Sequence, residues 1–401
     1  MRSIQSRPIR FATIAGTCTC ALLLTATSPA CASGQLSYVI GAVTPGFGPQ
    51  AWNVATGRSF VTLYGSVDMA VNYINAGGKS MVRMQSGNTW TSKFGLYGQE
   101  DLGDQWTAFF RLESGFIANN GAVQDTNSLF NRASYIGLDN PRYGKITLGR
   151  TYSVTGTAAL AIDPFYANAH EAVFSYMGLV NADLGHGATA DGSNRMNNLI
   201  NYTSPRFLQY FTAGFSYGFK TTQTPGPAVH TRGASLGFNS DTTIAGIAYS
   251  QTWCDPGFAG SCSPNTGDAG SVRTDLYIAG IEHDFGPVVA QVGYLQYIPH
   301  YAGDAIARLY TVGLQRFSGR TLYRIALDYR DTTIKQNYAW GGTIGADYYL
   351  SRRTSLYTRV AFLKNGPQSA LTYNYDSTSG STIVAKGHSL TSVSIGIAHQ
   401  F

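Results

Sequence analysis

Seven histidines are the chain's first candidates for acid–base chemistry, and they stand apart, at His170, His186, His230, His283, His300, His388 and His399. Nucleophilic catalysis needs a base beside the nucleophile and a third group to hold that base. Neither a G-x-S-x-G elbow nor an H-E-x-x-H signature occurs, so the sequence offers no catalytic set and implies no cofactor. Cys254 and Cys262 lie in the Gly/Pro/Ser loop CDPGFAGSC. In an oxidising compartment this spacing points to a loop disulfide. A metal site would need further ligands that the neighbourhood does not supply. The remaining chemistry is electrostatic: single charged residues recur on one face of alternating segments, where they can act on ions in water.

Those segments belong to an exported chain. Arg2, Arg7 and Arg10 precede an apolar stretch from Phe11 to about Ala26, and Ala30-Cys31-Ala32 reads as a cleavage site. Residues 1–32 are therefore expected to be a signal peptide. A lipid anchor at Cys31 is disfavoured by Ser28, which stands where that signal usually has leucine. The leader carries three Arg and no acid, so the formal net charge of +6 falls to about +3 in the mature chain. No Lys/Arg cluster stands out, which argues against nucleic acid as a partner. Charged residues make up 12% of the chain, against about 25% in soluble domains. Yet no mature segment has an apolar run of helical-span length. Low charge without a hydropathy peak is what a membrane barrel wall produces, because apolar and polar positions alternate and average out. The 26 Tyr and 20 Phe suit aromatic girdles, and the 46 Gly suit tight turns and close packing.

The alternation is explicit. In the last segment Val393, Ile395, Ile397, His399 and Phe401 share one parity, and Ser392, Ser394, Gly396, Ala398 and Gln400 take the other. His399 thus falls on the apolar face, an interfacial rather than a catalytic place. Val61, Leu63, Val67, Met69, Val71 and Tyr73 oppose Thr62, Tyr64, Ser66, Asp68 and Asn72. Trp106, Ala108, Phe110 and Leu112 oppose Thr107, Phe109, Arg111 and Glu113. Tyr323, Ile325, Leu327 and Tyr329 oppose Arg324, Ala326, Asp328 and Arg330. Short turns are expected near 101–104, 139–144, 203–208, 239–241, 285–287, 317–320 and 350–353. Longer loops are expected near 74–90, 117–130, 153–193, 220–231, 253–271, 298–306, 332–337 and 364–387. Together they join sixteen strands over 59–401. An even count with short turns at one end is the asymmetry of outer-membrane barrels, and sixteen strands enclose an aqueous channel. Residues 33–58, with Pro45 and Pro49, form an extension of unknown role.

Several blocks resemble the general porins of Gram-negative outer membranes, the trimeric sixteen-stranded class. They are FVTLYGSVDMAV at 60–71, KFGLYGQEDLGDQWTAFFRLESGF at 93–116, FNRASYIGLDNPRYGKITLGRTYS at 130–153, NYTSPRFLQYFTAGFSYGF at 201–219 and YYLSRRTSLYTRVAFLKN at 348–365, with the terminal GIAHQF. The resemblance implies an all-β, sixteen-stranded antiparallel transmembrane barrel with an inward-folded third loop, here 153–193. It implies a homotrimer in outer-membrane lipid and lipopolysaccharide, passing small hydrophilic solutes and ions by diffusion. It also implies that Phe401 is a C-terminal assembly signal for the barrel-assembly machinery.

By motif position the resemblance assigns Lys93, Arg132, Arg150 and Arg195 to the basic side of the constriction, and strand parity adds Arg111. Arg150 shares parity with Ile146 and Leu148, so it reaches the lumen only if the strand bends or ends, as Gly149 allows. The opposing carboxylates are expected on the third loop, at Asp163 and Glu171, with Asp183 a weaker candidate. The loop sequence AIDPFYANAHEAVF departs from the family's usual acidic motif. The slight excess of basic charge suggests a weak anion preference. A substrate-specific channel for a sugar or anion is the competing reading. An energy-coupled receptor would need a plug and about 22 strands, and a surface adhesin would need a sealed barrel.

Overall fold

Strict alternation of apolar and polar side chains forces each segment to present two different solvents to its two faces. The structure, a computed structural model, describes residues 59–160, 163–165, 195–220, 229–253, 273–300, 305–373 and 385–401. The expected leader 1–32, the extension 33–58, Glu171, Asp183, Cys254 and Cys262 lie outside the described residues. The strands are β1 (Phe60–Ala76), β2 (Lys79–Ser86), β3 (Lys93–Gly103), β4 (Trp106–Ile117), β5 (Ala122–Val123), β6 (Ala133–Asn140), β7 (Gly144–Tyr152), β8 (Arg195–Thr203) and β9 (Phe211–Phe219). They continue with β10 (Val229–Asn239), β11 (Thr243–Trp253), β12 (Arg273–Asp284), β13 (Val289–Pro299), β14 (Ala307–Ser318), β15 (Thr321–Thr332), β16 (Tyr338–Tyr349), β17 (Thr354–Asn365) and β18 (Ser389–Gln400). One short helix, α1 (Val154–Leu160), follows β7.

All pairings are antiparallel, and β18 returns to β1 in register from Ser66↔Gln400 to Ala76↔Leu390. The sheet is therefore a closed barrel. It has sixteen staves: β2 and β3 pair with the two halves of β1 as one interrupted stave, and β5 only extends the end of β4. The seven short turns fall where the sequence places them. The first long loop does not. Instead of leaving at residue 74, β1 runs on to Ala76 and returns through Gly77-Gly78. Both glycines have positive φ, +59° and +86°, as a two-residue hairpin turn requires. The chain then folds inward at 87–92 before resuming the stave as β3.

The faces are inverted relative to a soluble protein. Val61 and Ile395 are each 66% exposed, whereas Asp68, Asn72, Ser392 and Ser394 are fully enclosed. Apolar side chains meet lipid and polar ones face the lumen, with backbone groups satisfied around the ring. His399 lies on the exposed face, its Nδ1 2.9 Å from Thr354 Oγ1. At the end bearing the long loops the lumen becomes apolar. Ile74, Leu295, Leu309, Leu363 and Leu390 pack there with Leu371 and Tyr373 of the last loop, which folds over part of that mouth.

Phe401 completes the closure. Gly65 N–H donates to Phe401 O at 2.9 Å, and Phe401 N–H donates to Gly65 O at 3.0 Å. The Phe401 ring covers Gly65, where a Cβ would come within 2.4 Å of its Cζ. Overpacking of this kind costs about 1–3 kcal/mol. Gly65→Ala is expected to lower the melting temperature of the folded barrel and to slow the appearance of the heat-modifiable band on gels. An unchanged melting temperature and folding rate would show that the ring does not seat on Gly65.

Candidate functional site

Charged side chains on the lumen parity of neighbouring staves are brought together by register. Lys93 opens β3, Arg111 lies on β4, Arg132 precedes β6, Arg150 is in β7 and Arg195 opens β8. The five sequence-derived basic residues thus occupy consecutive staves, with Arg150 on the parity of Ile146 and Leu148. Lys93 lies in electrostatic range of Arg111, Arg132, Arg195 and Glu113. The β7–β8 register shifts beside Gly149, which has φ +134°, but the extra residue lies on β8, where Asn197 and Asn198 stand against Arg150 alone and Asn198 has φ +54°. The alternation of β7 itself runs on unbroken, with Thr147 and Thr151 on its enclosed face. Arg150 Nε then donates to Asn131 O at 2.6 Å and its Nη1 to Asn197 Oδ1 at 2.8 Å. Arg195 donates to the Tyr152 hydroxyl, with its Cζ 4.1 Å from that ring's centre.

The five are not equivalent. Arg111 is enclosed by aromatic rings, its Cζ 4.7 Å from the Tyr64 centroid and 5.8 Å from that of Tyr97. Arg132 is buried against Glu113, with Nε 2.8 Å from Oε1, and Tyr64 donates to the other Glu113 oxygen at 2.7 Å. Lys93, Arg150 and Arg195 are partly exposed. Glu113 is the charged neighbour that sequence reasoning did not select. Parity already placed it in the lumen, but its pairing with Arg132 depends on the β4–β6 register.

Asp163 lies elsewhere. The third loop enters the barrel at Ser153. Val154 N–H donates to Ser216 Oγ at 2.9 Å, and Thr155 Oγ1 donates to Ser250 Oγ at 3.1 Å. Gly214 and Gly233 leave the space for Val154, which would stand 3.1 Å and 3.0 Å from a Cβ at those positions. The loop then reaches the β14–β17 wall. Pro164 seats over Gly313 and Phe165 over Gly345, 2.6 Å and 2.8 Å from where a Cβ would be. Asp163 is fully enclosed, its Oδ1 accepts Phe165 N–H at 2.8 Å, and its charge faces that of Asp328. It is not brought to the basic wall.

A second charged group holds the loop. Asp347 pairs with Arg324 at 3.1 Å and with Arg359 at 2.7 Å, all three almost completely buried. The Phe165 ring lies over both guanidinium groups, with centroid distances of 5.8 Å and 5.2 Å. Arg359 also donates to Thr89 Oγ1 at 3.2 Å, tying in the inward segment 87–92. Asp68 anchors the same segment by accepting Thr89 N–H at 2.6 Å together with Trp90 N–H and the Tyr357 hydroxyl. Parity places Asp68, Arg324 and Asp328 in the lumen, but nothing local in the sequence signals that 87–92 turns inward to meet them.

Removing a buried Phe ring typically costs about 3–5 kcal/mol. Phe165→Ala is expected to loosen the third loop from the β14–β17 wall while the stave ladder persists. Single-channel recording should show larger, noisier conductance steps. Wild-type conductance and noise would mean that Phe165 does not hold the loop.

Comparison with known proteins agrees with this architecture. Residues 19–368 match the profile of the Gram-negative porin family. Outer membrane porin protein 32 of Delftia acidovorans is 31% identical over 361 residues, covering 88% of this chain and 97% of the relative. An outer membrane porin protein of Bordetella pertussis is 30% identical over 210 residues, covering 49% of this chain and 52% of the relative. Among solved structures, an anion-selective porin from Comamonas acidovorans superposes with a TM-score of 0.73 at 29% identity, covering 86% of this chain and all of that one. OmpT of Vibrio cholerae shares the fold, with a TM-score of 0.62 at 13% identity over 86% and 100% of the two chains. A closed sixteen-stave barrel with a polar lumen and this breadth of match has one reading: the chain belongs to the Gram-negative porin family and is a diffusion channel of the outer membrane, not an enzyme.

Proposed function

We propose that the channel passes small hydrophilic solutes and ions down their gradients with a bias toward anions. The observation that carries this is the imbalance of the basic wall. Lys93, Arg111, Arg132, Arg150 and Arg195 lie on consecutive staves, and among the described residues the carboxylate they gather around is Glu113. An anion beside that wall gains attraction from several fixed charges at once, and a cation is repelled by the same field. The similarity to a structure described as an anion-selective porin points the same way. Lys93, Arg150 and Arg195 are assigned direct contact with passing solutes. Arg111 and Arg132 are assigned to the background field, because rings and Glu113 enclose them. Asp163 is read as a loop residue that does not balance this wall; Glu171 lies outside the described residues.

The same reading takes residues 1–32 as a cleaved leader, 33–58 as an extension before the barrel and Phe401 as the signal read by the barrel-assembly machinery. A homotrimer in a bilayer of phospholipid and lipopolysaccharide is the proposed working form. The exposed apolar faces of the first staves, with Leu63, Val67 and Val71, support it as a surface that either lipid or another subunit must cover. Cys254 and Cys262 are proposed to form a loop disulfide.

The test is the zero-current potential across a planar bilayer under a salt gradient. The wild-type channel is expected to give the sign of anion preference. One unit charge about 4 Å from an ion in water contributes about 1 kcal/mol, so reversing it changes the ion's energy by about 2 kcal/mol. Lys93→Glu with Arg195→Glu is therefore expected to lower the anion-to-cation permeability ratio by at least about tenfold, with barrel folding intact. An unchanged potential would remove both residues from the conduction path. Block of the wild-type current by one particular sugar or anion would favour a substrate-specific channel instead.

A further inference from the structure

The end of the barrel with the short turns faces the periplasm in outer-membrane barrels, so its lipid-facing rim meets the headgroups of the inner leaflet. Charge around this rim is uneven. Glu100, Asp101 and Asp104 sit at the β3–β4 turn. Beyond β1 and β18, on staves β14–β17, the sign is reversed: Arg316, Arg320, Arg352 and Arg353 are all exposed. The ladder places all four on one arc of the rim. Arg316 lies opposite Tyr323 on β15, and Tyr349 N–H, at the start of the next turn, donates to Arg320 O at 2.9 Å. The carboxylate on these staves nearest the rim, Asp347, is buried and bonded to Arg324 and Arg359. Asp284, on the adjoining turn, caps its own loop through Gly286 N–H at 2.7 Å.

Arg316 is the decisive residue. It continues the lipid-facing parity of Tyr310, Val312 and Leu314, so its stem lies on the apolar wall and its guanidinium reaches the level of the headgroups. Neither Arg316 nor Arg352 makes an ion pair or a side-chain hydrogen bond among the described residues. Tyr323, Tyr348 and Leu350 on the same arc are also exposed, and tyrosine rings sit at the interfacial level of a bilayer. A guanidinium fork matches a phosphate better than any other lipid group. A neutral zwitterionic headgroup brings its own ammonium, which this patch repels.

We propose that the short-turn rim of β14–β17 is a binding site for the phosphate of an anionic glycerophospholipid of the inner leaflet, held by Arg316 and Arg352 with Arg320 and Arg353 beside them. The inference goes beyond conduction and depends only on the barrel standing in the outer membrane. It is tested on the full folded protein in mild detergent, by native mass spectrometry with added phosphatidylglycerol or phosphatidylethanolamine. Wild type is expected to retain phosphatidylglycerol about tenfold more tightly than phosphatidylethanolamine. Arg316→Gln with Arg352→Gln should bring the two lipids within about threefold of each other. Arg206→Gln, on a distant short turn, should keep the wild-type preference, and all variants should keep wild-type conductance and heat modifiability. An equal affinity of wild type for both lipids would overturn the proposal. So would an unchanged preference in the double variant, or an equal loss in Arg206→Gln. Displacement of the lipid by inorganic phosphate at millimolar concentration would make the patch a simple anion site and also overturn it.

Discussion

The hydrogen-bonded seam between β1 and β18 is the constraint from which the rest follows. A strand edge left open in hydrocarbon would expose a row of unsatisfied N–H and C=O groups. Once Ser66–Ala76 and Leu390–Gln400 are zipped together, every stave has two partners and its register is fixed. Register then decides which side chains meet across the wall. Arg132 finds Glu113, Arg150 finds Asn197 and Arg324 finds Asp347 only because neighbouring staves are held at one offset. The charged interior is thus a product of ring closure rather than of local folding.

Inside that ring, inward-folded segments occupy most of the wall that the basic residues leave free. The entry to the third loop lies against β9–β11 through Val154 and Thr155. Pro164 and Phe165 cover β14–β17, and the segment 87–92 lies against β1, β17 and β18 through Asp68, Tyr357 and Ser394. Glycines and serines on the wall provide the recesses. Buried arginines on the far wall neutralise Asp347 and hold the loop, whereas on β3–β8 Arg111 and Arg132 are enclosed and Lys93, Arg150 and Arg195 stay partly exposed. One residue type therefore serves two ends, set by whether a carboxylate and a ring enclose it.

The barrel was legible because its rule is short-ranged. Two-residue alternation in Val61–Tyr73, Trp106–Glu113 and Tyr323–Arg330 assigns lipid and lumen faces without knowledge of partners, and turn residues mark the stave ends. The same rule put Arg111 on the lumen face, whereas Lys93, Arg132, Arg150 and Arg195 follow from motif position; the bend expected at Gly149 is instead a register shift whose extra residue lies on β8. Three features escaped the rule. The hairpin through Gly77-Gly78 was hidden because β2 ends after eight residues and the chain leaves the wall at 87–92. The inward turn of that segment rests on Asp68, twenty-one residues before Thr89, and on Tyr357 near the other end of the chain. Asp163 carried the right charge on the right loop, but its backbone turn directs it toward Phe165 and Asp328 instead of the basic side. Non-local register and loop packing decide such cases, and neither leaves a periodic trace.

The split stave has a wider consequence. Because 87–92 and the third loop are secured by side chains rather than by the ladder, hull and sieve are separable parts. Substitutions at Thr89, Phe165 or Arg359 can retune what passes without disturbing the seam that keeps the vessel closed, whereas a single inserted residue in any stave exchanges its oily and wet sides. Such a protein can drift quickly in its filter and hardly at all in its spacing, so a bacterium meeting a new nutrient or toxin can alter permeability by point substitution alone.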